Sequence, residues 1–261
     1  MRAVILFGLL LAIAARAEED KIDENLLKIF EARIYHDGSA GTLPYRLFKP
    51  DKYDAQKKYP LVLFLHGGVG VGSDNRRQFN GGNGVPAQAL TALTNQLKCP
   101  CFMVAPQCSA QEGWVRIDRR LARPLLLTVT LLSSLQKEFN VDPDRLYVVG
   151  LSMGGGAVWD LVARHPTMFA AAVPICSAGD PGKAPLLVHL PIWCFHGDAD
   201  PLIPVEYARN MIAALRKAGA HPKYTEYPGV GHNSYVNAFK ESELLPWLFD
   251  QKRVTHSTAA R

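Results

Sequence analysis

The stretch VVGLSMGGGA, Val148 to Ala157, sets a serine between glycines just where an apolar run stops. Gly150-Leu151-Ser152-Met153-Gly154 fits G-x-S-x-G, a strand–turn–helix elbow that presents a serine hydroxyl as a nucleophile. A hydroxyl is a poor nucleophile at neutral pH. It needs a base within hydrogen-bond reach, and an imidazole base needs a carboxylate to fix its tautomer. The chain offers both in order: His196-Gly197-Asp198-Ala199-Asp200-Pro201 and Pro228-Gly229-Val230-Gly231-His232-Asn233, each just past an expected strand. One G-x-S-x-G alone occurs by chance; with an acid and His232 following it, the pattern points to acyl transfer through Ser152. A fourth loop, His66-Gly67-Gly68-Val69, carries glycines that let backbone N–H groups approach a ligand. The Gly68 N–H, or that of Val69, is expected to join the Met153 N–H in an oxyanion hole. Asn75, Gln107 and Trp114 fall on loops expected to rim the pocket, as substrate contacts or as loop packing.

These loops must be held by a sheet. Leu61–Leu65 and Leu146–Val149 are apolar without alternation, as strands buried on both faces are. Shorter runs at 101–104, 170–174, 192–195 and 223–227 extend the set. Two strands near 32–36 and 43–48, joined through Asp37-Gly38 and Gly41, form an N-terminal hairpin. Helical spacing covers 86–97, 124–139, 153–165, 205–218 (closed by Gly219) and 242–249, with a turn at 140–144. Strands alternating with helices imply a mostly parallel α/β sheet, with its functional groups at the strands' carboxyl ends.

With 261 residues, 48% hydrophobic and 20% charged, the chain can bury a sizeable core. Residues 1–17 have the form of a secretory signal peptide: a basic start, an apolar run from Ala3 to Ala14, then Ala15-Arg16-Ala17. The expected organisation is a signal at 1–17, a solvated lead-in at 18–30, one catalytic domain over 31–250, and a frayed tail at 251–261. Removing Arg2 and Arg16 takes the formal charge from +5 to +3, too little and too dispersed to argue for nucleic acid. Export permits disulfides. Of the five cysteines, Cys176 and Cys194 lie in apolar runs, and Cys108 with Cys99 or Cys101 is the expected bridge. No zinc-type cysteine or histidine spacing is present.

Together HGGVGVGSDN, VDPDRLYVVGLSMGGGAVWDLVARHP, FHGDADPLIPV and YPGVGHNSY resemble the α/β-hydrolase superfamily over about residues 34–249. Within it the chain is similar to exported bacterial esterases of the dienelactone-hydrolase-like, polyhydroxybutyrate-depolymerase-like and feruloyl-esterase-like kinds, some called predicted peptidases. The resemblance implies an α/β-hydrolase fold with Ser152 as nucleophile and His232 as base. It places the acid at Asp200, the match to D in H-G-x-x-D-x-x-I-P. Asp198 is the competitor, with a hydrogen bond to its own turn as its plainer role. The family often carries an aromatic residue where Gly156 stands. The activity implied is cleavage of small-molecule or polysaccharide-linked carboxylic esters through an acyl-enzyme, without metal, organic cofactor, nucleic acid or membrane anchor. A peptidase, an acyltransferase and a non-catalytic carbohydrate-binding scaffold are the rivals.

Overall fold

The computed structural model describes residues 22–115 and 122–253; the expected signal peptide, cleavage point and last eight residues lie outside them. Strands β1 (Glu31–Asp37), β2 (Gly41–Phe48), β3 (Tyr59–Leu65), β4 (Phe102–Pro106), β5 (Val141–Leu151), β6 (Ala171–Ile175), β7 (Trp193–Gly197) and β8 (Lys223–Tyr227) make one sheet. Their order is β1-β2-β4-β3-β5-β6-β7-β8. The pair β1–β2 and the edge β2–β4 are antiparallel, and the rest is parallel.

The unbroken apolar run of β3 follows from this position. Successive side chains of a strand point to opposite faces, and both faces here are covered. Leu61, Leu63 and Leu65 join one core with Leu127, Leu131, Leu135, Val158, Leu161, Met211 and Leu215. Val62 and Phe64 join the other with Phe79, Leu90, Tyr147, Phe195, Leu244 and Leu248. The helices that cover the sheet are α1 (Glu24–Ile29), α2 (Gly84–Thr91), α3 (Leu93–Lys98), α4 (Arg123–Glu138), α5 (Met153–Arg164), α6 (Glu206–Lys217), α7 (Ser234–Ala238) and α8 (Leu244–Asp250). Among the described residues no helix is long and apolar enough to cross a membrane.

Several expectations change. The lead-in is partly helix α1, because Asp23 caps it through the Asn25 and Leu26 N–H groups and Leu26, Leu27 and Phe30 find apolar cover. The helix expected over 86–97 breaks at Ala92 into α2 and α3. The side chains of Asn95 and Gln96 donate to the carbonyls of Ala89 and Leu90, doing for the end of α2 what another turn of backbone would have done. The turn expected at 140–144 is already strand, since Val141 pairs with Tyr59. The tail's first residues are docked rather than frayed: Gln251 accepts from the Tyr147 hydroxyl at 2.8 Å, and Arg253 pairs with Asp144 at 2.9 Å.

The cysteine bridge is also corrected. All five cysteines carry free thiols. Cys101 rests against the Gln96 amide and Cys108 against the His66 ring, each occupied by its own loop. Burial pushes both thiols up to about 12, so they behave as small hydrophobes.

Arg46, in β2, is buried and donates to the carbonyls of Asn75, Leu27 and Phe30 at 2.7, 3.2 and 3.0 Å. It ties α1 and the 67–79 loop to the antiparallel edge. Arg46→Met leaves these carbonyls without a donor, at a cost of about 2–4 kcal/mol. Thermal unfolding should fall by about 5–15 °C; a melting curve unchanged within error would show that the tie is dispensable.

Candidate active site

Ser152 sits between β5 and α5 with φ 54° and ψ −117°, a conformation that L-residues avoid. Strain of this sort costs on the order of 1–3 kcal/mol and persists only where the surroundings enforce it. The enforcement is visible. The Ser152 N–H is bonded to the Ile175 carbonyl at 2.9 Å. A side chain at Gly150 would strike the Gly154 carbonyl, and one at Gly154 the Leu65 carbonyl. The glycines on either side of the serine therefore exist so that helix and strand can meet closely enough to force the turn.

The tight turn aims the hydroxyl at the loop after β8. His232 Nε2 lies 2.8 Å from Ser152 Oγ, and His232 Nδ1 lies 2.7 Å from Asp200 Oδ2. A carboxylate only accepts, so Nδ1 carries the proton and Nε2 is left free to accept from the serine. Asp200 Oδ1 accepts from the Leu202 and Ile203 N–H groups at 2.9 and 3.0 Å. Burial alone would raise this carboxyl. The Ile203 N–H, His232 and the Leu202 N–H outweigh it, and Asp200 is held below the usual carboxylate range. The competitor Asp198 is not in contact with His232 in the way Asp200 is; instead of bonding its own turn it accepts from the Gly229 N–H at 2.6 Å, bracing the loop that carries His232.

The His66-Gly67-Gly68 loop abuts Ser152: a Cβ built on Gly67 would lie 3.5 Å from that of Ser152. Met153 opens α5, so its N–H has no carbonyl one turn behind it to accept. Asn83, which no sequence pattern singled out, accepts from the Gly67 N–H at 2.7 Å and fixes this loop. Val69 stands exposed on the short turn Gly68–Gly70.

The three side chains expected to rim the pocket are buried scaffolding instead. Asn75 has φ 55° and donates to the carbonyls of Arg33 and Tyr45, while its N–H is held by Gln107 Oε1. Gln107 also donates to the Gly70 carbonyl and to Asp74. Trp114, wholly buried, donates from its indole to the His66 carbonyl at 3.0 Å. Loops that approach the site this closely need their own polar groups satisfied, and these side chains do that.

His66 and His196 each hold their own loop, and the geometry makes each role specific. His196 Nε2 faces the Ile203 carbonyl at 2.9 Å and Asp200 Oδ2 at 3.3 Å. Both are acceptors, so its proton is shared between them and steadies the carboxylate. The H-G-x-x-D spacing was the available signal for this contact. His66 Nδ1 lies 2.8 Å from the Gly67 carbonyl and Nε2 accepts from the Cys108 N–H at 3.2 Å, which assigns the neutral Nδ1–H tautomer.

The chain has recognisable relatives among known proteins. Residues 110–244 match the dienelactone hydrolase family model. The chain belongs to that family. A solved thermostable esterase superposes with a TM-score of 0.83 at 36% identity, covering 87% of this chain; this chain spans 64% of that one. Probable feruloyl esterase C of Aspergillus oryzae is 26% identical over 75% of this chain and 70% of its own length. Dipeptidyl peptidase 4 of Porphyromonas gingivalis shares the fold at TM-score 0.68 and 16% identity, over 85% of this chain and 35% of its own. The chain is thus an α/β-hydrolase among carboxylesterase-like relatives.

Burial lowers the His66 imidazole to about 4, only partly offset by the Gly67 carbonyl. The unfolded chain therefore binds a proton at higher pH than the folded one does. The associated stability, roughly 3 kcal/mol, is present above about pH 6.5 and is lost as pH falls toward 4. Imidazole nitrogen NMR should show His66 neutral and Nδ1-protonated down to pH 5. A midpoint near the ordinary histidine value would contradict the assignment.

Proposed function

We propose that this protein is an exported serine esterase that cleaves carboxylic esters through an acyl-enzyme. The observation that carries the reading is the continuous line from Ser152 Oγ through His232 to Asp200, at 2.8 and 2.7 Å. In this mechanism His232 Nε2 takes the serine proton as Oγ attacks the ester carbonyl. Asp200 keeps the imidazole in the required tautomer and stabilises its charged form. The N–H groups of Met153 and Gly68 receive the developing oxyanion, each worth about 2.7–4 kcal/mol of barrier where such donors have been removed. His232 then gives its proton to the leaving alcohol, and water releases the acid by the same steps in reverse order. The proposed triad and oxyanion donors need no metal or organic cofactor. The relatives' names suggest esters of aromatic acids as substrates to try first; the signal-like residues 1–17 support a substrate met outside the cytoplasm.

A panel of nitrophenyl esters and one feruloyl ester tests the reading. Ser152→Ala should lower kcat by about 10⁴–10⁶, and Asp200→Asn by about 10³–10⁴ through the wrong tautomer. Asp198→Asn should stay within about tenfold of the parent, since it removes only a loop brace. Equal losses at Asp198 and Asp200 would sink the assignment of the acid. Amide substrates need the same groups and a better-protonated leaving group, so faster turnover of peptide than ester substrates would move the reading to the peptidase alternative.

A further inference from the structure

His196 lies near the end of β7 and is wholly buried, yet its ring is only half used. Nε2 faces the Ile203 carbonyl at 2.9 Å and Asp200 Oδ2 at 3.3 Å, so Nε2 carries the proton. Nδ1 is buried and has no partner among the described residues. A buried acceptor left bare is unfavourable, and an apolar side chain would fill the same space without one. The ring is therefore explained by the Nε2 proton. That proton reaches the same carboxylate oxygen that His232 Nδ1 holds at 2.7 Å.

Two imidazoles thus bear on one oxygen, and their effects oppose each other. The charge on Oδ2 favours the protonated form of His232. A second donor on Oδ2 draws on that charge and weakens the pull. When His232 gains a proton, its Nδ1–H claims Oδ2 more strongly, and the His196 proton can turn wholly to the Ile203 carbonyl. No donor is stranded in either state. The other ionisable groups around the pair do not take this part. The Cys176 thiol, just past β6, is pushed up to about 12 by burial and stays uncharged. Glu226, beside His196 across the β7–β8 register, is paired with Arg209 of α6 at 2.6 Å. Asp198 accepts from the Gly229 N–H, and His66 faces Cys108. On α7, Tyr235 packs on Gly82.

We infer that His196 is a positioning residue for the proposed base: its Nε2 proton moderates the charge that Asp200 presents to His232, and so lowers the pH at which His232 is free to take the serine proton. The inference rests on the serine-esterase reading and adds a side chain to the line from Ser152 to Asp200.

Imidazole nitrogen NMR across a pH series tests it on the full chain, beside the acid limb of kcat/KM for a nitrophenyl ester. In the parent, His196 should carry its proton on Nε2 and leave Nδ1 bare. A proton on Nδ1 overturns the inference, whether or not any variant folds. His196→Phe keeps a ring and removes the donor. The His232 midpoint should then rise by about 0.5–1 pH unit, and the acid limb should rise with it. His196→Gln puts an amide N–H near the place of Nε2 and should return the midpoint most of the way. A purely structural role would lower the plateau in both variants and leave the midpoint where it is. An unchanged or lowered midpoint in folded His196→Phe overturns the inference. Ester turnover that survives Ser152→Ala would instead defeat the serine reading, and the NMR midpoints would still judge His196.

Discussion

The active-site arrangement hangs on one buried charge. The Asp200 side chain has no solvent exposure, and an ionised carboxylate taken out of water is expensive unless its oxygens are fully used. Here they are. Two backbone N–H groups of its own turn hold one oxygen, and His232 and His196 share the other. The turn Asp200–Ile203 thus solves its own hydrogen-bonding problem and fixes a negative charge at one point. His232, on a different loop 32 residues away, is oriented by that charge. Since Asp200 is held below its ordinary range, its stabilising effect is present above the usual carboxylate range and is lost as pH falls through its lowered value.

The opposite half of the site is organised by steric exclusion rather than charge. Ser152 is held at positive φ because Gly150 and Gly154 let α5 sit against the carboxyl ends of β3 and β5. Strand registers β3–β5 and β5–β6 place the elbow, the His66 loop and the end of β6 side by side. The serine hydroxyl is displayed to the histidine only because the backbone cannot relax. A charge-fixed imidazole and a strain-fixed hydroxyl meet at the carboxyl ends of the parallel strands.

Much of this was legible in the residues. Strands buried on both faces announced themselves as apolar runs without alternation, and the chain order of Ser152, Asp200 and His232 matched the order in which the sheet brings them together. The hairpin at the edge followed from Asp37-Gly38 and Gly41. What escaped was polar satisfaction at a distance. Asn75, Gln107 and Trp114 looked like pocket residues because they sit on loops near the site, yet their partners are backbone groups 30 to 48 residues away. Spacing along the chain carries no mark of such pairs. The same holds for Asn83 on Gly67, and for the side-chain caps that split α2 from α3. Cysteine count suggested a bridge, whereas each thiol's neighbour was set by how its loop closed.

In the proposed mechanism Ser152, and no other hydroxyl or thiol, is made nucleophilic by His232 and Asp200. The most direct measurement is intact-mass and peptide-mass analysis after reaction with a small phosphonate ester. One adduct per chain is expected, carried on the peptide containing Ser152 and absent from Ser152→Ala and from acid-unfolded protein. An adduct on another residue, or equal labelling of the alanine variant, would contradict it.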